Sequence, residues 1–252
     1  MKIYGDYHTH TLHSHGKGSI EDNCKKAVEA GLKEIAITDH GFSHVLYRVK
    51  RDKLFGDIKR EIEEVRKKFP EIKILLGIEA NLMGLDGTVD LEEEDIEKLD
   101  IIVCGVHKFL RNTRFRDEIF FFLPNLCGFS TKKMITKNTD AYIKMIEKYP
   151  IDIISHLNLG IRSNVKEIAK AAKHFGTYIE LNGKKIVLTD EEIMIIANEG
   201  AEFILNSDAH SAERVGDFSV CIERAEKVGV PKEQIANWGR IPRFRKQKII
   251  HN

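Results

Sequence analysis

Apolar residues along this chain fall into two alternating textures. Short, β-branched runs occupy 2–7, 34–38, 73–78, 100–106, 151–155, 177–181 and 202–206. They are apolar almost throughout, as strands covered on both faces should be. Between them lie stretches with helical spacing. The segment 20–30 follows Ser19, carries Asp22 in its first turn and ends before Gly31, which are start and stop signals. Thr189 with Glu192 three residues later predicts a capping box ahead of a helix over 193–198. Helices are also predicted over 57–69, 164–175 and 212–228. Seven strand–helix alternations with short connections predict parallel strands joined by right-handed crossovers. An open doubly wound sheet usually carries a GxGxxG loop after its first strand, and none is present. The expected fold is therefore α/β, a barrel closed or nearly closed, with residues 1–252 as a single domain.

Two segments depart from this pattern. Residues 108–138 mix Arg111, Arg114 and Arg116 with Phe120–Phe122, and read either as a lid or as a short helix packed on the barrel. Residues 240–252 form a basic tail expected to be peripheral.

Composition narrows the class further. With 40 Lys+Arg against 39 Asp+Glu the formal net charge is +1, so no global field draws the chain to nucleic acid or to a membrane. A hydrophobic fraction of 42% is enough for a sizeable core. No apolar run approaches the roughly 20 residues that span a bilayer. The opening MKIYGDYHTH turns polar before a signal-peptide core could form, so a cytoplasmic protein is expected. Cys24, Cys104, Cys127 and Cys221 are widely spaced, which argues against a disulfide framework or a thiolate metal site.

The eleven histidines carry the chemistry. The first strand runs into Asp6-Tyr7-His8-Thr9-His10, where alternation points both imidazoles to one side. Later strands end in His40, Glu79, His107, His156, Asn182 and Asp208-Ala209-His210. Ligand-type side chains thus sit at the carboxyl ends of separate strands, the rim where barrel active sites assemble. A lone histidine at such a place is ordinarily structural, and His44, His174 and His251 are read that way. The whole set is not, because several imidazoles and two carboxylates in one pocket are costly to bury without cations.

The motifs DYHTHT, ITDHG, GIEAN, GVH, ISH and NSDAH resemble, in order, those of the PHP (polymerase and histidinol phosphatase) family, over residues 6 to about 216. GIEANLMGLDGTVDL is most similar to its stand-alone trinuclear phosphatases. The resemblance implies a distorted (β/α)7, TIM-like barrel with three divalent metal ions. It implies that His8, His10, Glu79 and Asp208 hold the first ion, and that Glu79 bridges to a second completed by His107 and His156. His15, His40 and His210 would hold the third. The spacing after His10 is one residue shorter than in the family, which makes His13 a rival to His15; the polar, glycine-containing loop 14–18 favours His15. Imidazole and carboxylate ligands suit Zn, Mn or Fe alike.

The chemistry of such a centre is phosphoester hydrolysis by a metal-bridging hydroxide, with Glu79, Asp208 and His210 as catalytic residues. Asp6 and Asp39 are candidates to fix imidazole tautomers, with a capping or turn role as the alternative. Lys184, Lys185 and Arg214 also follow strand ends, but Lys108 and Arg162 are the preferred phosphate-binding cations, with Asn182 a polar contact. The leading expectation is a phosphatase acting on a small phosphomonoester, histidinol phosphate being one candidate by family analogy. A phosphodiesterase or exonuclease on nucleic-acid ends, an amidohydrolase-type C–N hydrolase and an inactive metal-binding scaffold are the rivals. Oligomeric state is not legible.

Overall fold

Among the described residues, each strand after the first pairs with the strand before it in sequence. The computed structural model describes residues 2–107, 109–111, 113–128 and 130–245. Its seven strands are β1 (Gly5–Asp6), β2 (Glu34–Ile37), β3 (Lys73–Asn81), β4 (Ile101–Gly105), β5 (Ile153–Ile154), β6 (Tyr178–Asn182) and β7 (Phe203–Asn206). They are all parallel, in the order β1-β2-β3-β4-β5-β6-β7. The edges β1 and β7 approach each other without a regular ladder. Asn237 spans the gap, with Nδ2 donating to the Gly5 and Leu205 carbonyls at 2.9 and 2.7 Å. Above it the Tyr7 amide donates to Asn206 Oδ1 at 3.0 Å, and Thr9 forms a parallel bridge with Ala209. The result is a nearly closed barrel of the TIM-like kind.

Strand alternation sorts side chains into two cores. Ile35, Ile74, Ile102, Ile154, Ile179 and Leu205 face outward against the helices. Ala36, Leu75, Val103, Ile153, Tyr178 and Ile204 face inward and fill the lower barrel. Continuing the inward parity toward the carboxyl ends reaches Glu79 on β3, Glu180 and Asn182 on β6 and Asn206 on β7. The barrel is apolar below and polar above, and the site lies where the two layers meet.

The helices differ in detail from the sequence pattern. Ser19 caps Ile20–Glu29, with its side chain accepting from the Asp22 amide, and Thr189 caps Asp190–Asn198 in the predicted capping box. The helix predicted over 57–69 begins earlier, at Arg51, and contains a wide turn at Leu54–Ile58 before Lys59–Lys68. The helix predicted over 212–228 is broken near Gly216, whose φ of +77° no helix accommodates, into Ala212–Arg214 and Ser219–Val228. Of the segment 108–138, residues 115–126 are helical and anchored by the fully buried Phe121, which is the packed-helix alternative. A long helix, Lys132–Lys148, follows; its buried Met134, Asn138, Tyr142 and Met145 trace one face that polar neighbours disguise in the sequence.

The tail corrects an expectation. Residues 240–245 are not wholly peripheral: Arg240, Ile241 and Arg243 are exposed, but Phe244 is 1% exposed and plugs the lower barrel, its ring 4.9 Å from that of Tyr7. The Arg245 amide donates to Asp152 Oδ1 at 2.6 Å. Basic neighbours hid one apolar residue placed to cap the barrel's floor. Residues 246–252, including His251, lie outside the described residues.

Candidate metal centre

Glu79 sits at the upper, inward end of β3, 1% exposed, and everything else in the site is arranged around its carboxylate. Oε1 lies 2.8 Å from His156 Nε2 and 3.3 Å from both His8 Nε2 and His107 Nε2. Oε2 lies 3.0 Å from His40 Nδ1 and 3.6 Å from His10 Nε2. Asp208 approaches from the end of β7, with Oδ1 3.3 Å from both His10 Nε2 and His210 Nδ1. Three sets of ligand atoms converge closely enough to share an ion: His8, His10 and Glu79; His40, Glu79 and His107; and His10, His40 and His210.

Local backbone conformation makes this convergence possible. His8 and His10 follow the end of β1, and their Nε2 atoms lie 3.2 Å apart. His156 has φ +28° and Asp208 has φ +49°, left-handed values that L residues adopt at a cost. Both turn a side chain inward just past the end of a strand, the kind of strain that functional sites retain. At Gly105 on β4 a Cβ would lie 2.3 Å from Ser155 Oγ and 2.7 Å from His156 Cε1, so only glycine leaves room for that imidazole.

His15 joins the cluster and His13 does not. The His15 ring stacks on His40 at 4.8 Å and meets His210 at 4.2 Å, whereas His13 Nε2 pairs with Glu61 at 2.7 Å. Gly16 closes the loop; its amide donates to the Thr11 carbonyl at 2.8 Å.

The partners behind the imidazoles were partly missed by the sequence reading. Asp6 and Asp39 take the turn role: Asp6 accepts from the Ser207 hydroxyl at 2.5 Å and the Gly216 amide at 3.0 Å, and Asp39 from the Thr11 amide at 2.7 Å and hydroxyl at 2.6 Å. Glu180 accepts from His8 Nδ1 at 2.7 Å, and Asn81 Oδ1 accepts from His107 Nδ1 at 2.8 Å. Each contact puts the proton on Nδ1 and leaves Nε2 aimed at Glu79. A glutamate on the inner parity of an otherwise apolar strand, two residues before Asn182, was the available signal. His44, read from sequence as structural, stacks on His40 at 4.8 Å, and Tyr47 stacks on His15 at 4.2 Å.

Of the expected substrate contacts, Asn182 is at the site: Nδ2 donates to Asp208 Oδ2 at 3.1 Å, and Oδ1 accepts from the Lys184 and Lys185 amides. Arg162 is not. It is half exposed, 3.7 Å from Glu192, and lines a different cavity together with Asn158 and Ile161. Lys108 lies outside the described residues. The cations that do reach the rim are Lys184 and Lys185, and Lys184 Nζ lies 3.1 Å from His210 Nε2. These groups line a cavity of about 260 Å³ that opens over Glu79 and Asp208.

The electrostatics fit a cation-binding role. Burial opposes ionisation of Glu79, but His107 and His8 hold it well below the usual carboxylate range. Asp208 and Glu180 are likewise lowered against burial, chiefly by His8. Burial depresses His10 well below an ordinary imidazole, with His40 adding to the effect, and takes His15 down to about 3. Among the described residues no Lys or Arg reaches ion-pair distance of Glu79, Glu180 or Asp208. Against burial, Glu180 raises His8 well above an ordinary imidazole and Glu79 raises His156, so among the described residues the three buried carboxylates are balanced by imidazoles alone and by no permanently charged side chain. His10 Nδ1, His15 Nδ1, His156 Nδ1, both His40 nitrogens and Glu79 Oε2 are buried with no hydrogen-bond partner among the described residues. Nitrogen and carboxylate donors with open lone pairs suit divalent transition metals.

Comparison with known proteins agrees with this geometry. Residues 6–190 match the family model described as PHP domain. A probable phosphatase of Caldanaerobacter subterraneus subsp. tengcongensis is 31% identical over 252 residues, covering 94% of this chain and 88% of that protein. A probable phosphatase of Thermoanaerobacter sp. is 29% identical over 265 residues, covering 98% and 96%. Histidinol phosphate phosphatase from Lactococcus lactis, solved with zinc, L-histidinol and phosphate, superposes with a TM-score of 0.59 at 14% identity, covering 92% of this chain and 95% of that one. At that identity the superposition speaks for the fold alone.

Proposed function

The chain belongs to the PHP domain family, and from that premise we propose that it is a metal-dependent phosphatase acting on a small phosphomonoester. The observation that carries this reading is the pair of buried carboxylates, Glu79 and Asp208, surrounded by imidazoles and opening into a cavity of about 260 Å³ with Lys184 and Lys185 on its wall.

Three divalent ions are proposed. His8, His10, Glu79 and Asp208 would hold one, Glu79, His107 and His156 a second, and His15, His40 and His210 the third, with zinc, manganese or iron suited to this donor set. Ions so held supply Lewis acidity and bring the pKa of water toward neutrality. The chain's own residues do the remainder. Glu180 and Asn81 orient His8 and His107 through their Nδ1 atoms. Asn182 ties the Lys184 and Lys185 backbone to Asp208, which fixes where the two ammonium groups leave the strand end. Those ammonium groups face the anionic ester and the charge that develops on its leaving oxygen. His44 and Tyr47 wall the cavity against bulk water.

The test is phosphate release from a panel of phosphomonoesters and short oligonucleotides, with metal content measured on the same preparation. Monoester turnover that a chelator removes, with about three ions per chain, supports the reading. In Glu79→Ala and Asp208→Ala, turnover should vanish while circular dichroism stays that of the folded barrel; wild-type rates in either would overturn it. Nucleotide release without monoester turnover would instead mark an exonuclease.

A further inference from the structure

Beside the metal-centre cavity lies a second, larger one of about 430 Å³. The two share His107 and Leu159 as a common wall, so a group entering the second cavity adjoins whatever binds over Glu79. We propose that the substrate is the phosphomonoester of an apolar alcohol, whose hydrocarbon part occupies this second cavity while its phosphate faces the metal centre. The inference rests on the phosphatase reading and narrows it.

The chemistry of the walls carries the argument. Val45, Leu46, Phe109, Leu110, Phe122 and Leu126 supply hydrocarbon. Among the described residues the polar side chains of the wall, His107, Asn125 and Glu118, each have a partner within the protein. His107 is held between Asn81 and Glu79. Asn125 exchanges hydrogen bonds with Asn138 at 3.0 and 2.9 Å and donates to the Phe121 carbonyl at 2.7 Å. Glu118 accepts from the Thr113 hydroxyl. Among the described residues only the Glu118 carboxylate, at the exposed rim, keeps acceptor capacity, so a polyol seated deeper in the cavity would give up water for few partners, whereas hydrocarbon gives up nothing. An apolar cavity of about 150 Å³ is known to hold benzene, so this one is ample for a six-carbon chain or ring.

Two further observations point the same way. Leu46 is 72% exposed, Phe109 64% and Leu126 47%, an apolar mouth that a hydrocarbon occupant would cover. Phe109 holds φ +62°, a left-handed conformation unusual for an aromatic residue. It is kept there by the Val45 amide donating to its carbonyl at 3.0 Å and by the His44–Leu110 bridge, which together tie the loops after β2 and β4. The mixed-charge hollow on the other side of the centre offers less. Its described walls are charged and polar side chains such as Lys17, Lys25, Lys26, Asp22 and Glu29, with Ala212 the one apolar side chain among them, so it gives hydrocarbon no wall.

Hexyl phosphate and glycerol 3-phosphate test the proposal, because both are alkyl esters with leaving alcohols of similar basicity. With metal-loaded full-length protein, kcat/KM for hexyl phosphate should exceed that for glycerol 3-phosphate by about 10- to 100-fold, mostly through KM. Leu126→Asp should collapse that ratio at least tenfold; Leu46→Ser, at a more exposed position, serves if the first variant fails to fold. Equal kcat/KM for the two esters, or a ratio that both substitutions leave intact, would overturn this inference and leave the phosphatase reading standing. No turnover of either ester would overturn both.

Discussion

Replacing Glu180 by Gln isolates the layer of the site that lies behind the metal ligands. Glu180 is 2% exposed and accepts from four donors. Oε1 takes His8 Nδ1 at 2.7 Å and Asn206 Nδ2 at 3.0 Å; Oε2 takes the His156 amide at 2.8 Å and Asn182 Nδ2 at 2.9 Å. Glutamine preserves shape but offers one acceptor atom. With its oxygen toward His8, its amide nitrogen faces two other donors. Leaving two buried donors unsatisfied costs about 1–3 kcal/mol each. One part is returned in the metal-free protein, because the substitution removes one of three mutually repelling carboxylates. With ions bound that relief disappears, and His8 becomes a weaker donor for want of an anion behind it. Affinity at the first metal should fall about 10- to 100-fold, or about 1.4–2.8 kcal/mol. For a chain of this size the total corresponds to a melting temperature lowered by several degrees, at roughly 2–4 °C per kcal/mol. Chelator-competition titration measures the first quantity and calorimetry with and without metal the second. The gap between wild type and variant should widen when metal is added. A variant with wild-type metal affinity and an unchanged gap would refute the reasoning.

Other predictions follow from the same geometry. His15→Ala should lower kcat/KM by more than the roughly 10- to 100-fold expected of a group one step behind an ion, whereas His13→Ala, which breaks only the pair with Glu61, should stay within about twofold of wild type in a steady-state assay. Burial pushes the Cys24 thiol up to about 12 and raises Cys104 and Cys221 as well, while Cys127 is exposed. Ellman's reagent at neutral pH should therefore titrate one thiol in the native protein and four after denaturation; rapid reaction of a second native thiol would contradict the packing. Burial, with Glu202 adding to it, pushes the Tyr178 phenol up to about 12, against about 10 when unfolded. The folded state therefore keeps a proton that the unfolded chain loses, and stability should decline as pH rises from about 10 through about 12. Absorbance at 295 nm followed alongside circular dichroism checks this: ionisation of that phenol should coincide with unfolding rather than precede it.

Much of this protein was legible in its residues, and what was legible has a common cause. Run length and strand-end position are local properties, so the short, almost wholly apolar runs located all seven strands and the ligand-type residues at their carboxyl ends. The capping boxes at Ser19 and Thr189 are equally local. The polar loop 14–18 favoured His15 over His13 because glycine's conformational freedom can be read in place.

What remained hidden depended on contacts between residues distant in sequence. Glu180 reaches His8 across 172 positions, and nothing near either residue announces the other. Asp6, two residues before His8, was read either as a partner of an imidazole or as a turn residue, and sequence could not decide; it accepts from Ser207, 201 residues away, since the closing seam of the barrel brings β7 beside β1. Arg162 was favoured for nearness to a ligand in sequence, and the loop after β5 carries it elsewhere. Phe244 looked like part of a basic tail because one apolar side chain among charges has no periodicity, and only the open floor of the barrel gives it a place to be buried. Sequence by itself determined which elements form and which side chains point inward, because the backbone's own geometry decides both. Only the closed barrel decided which inward side chains meet, because that depends on register and curvature summed over every strand.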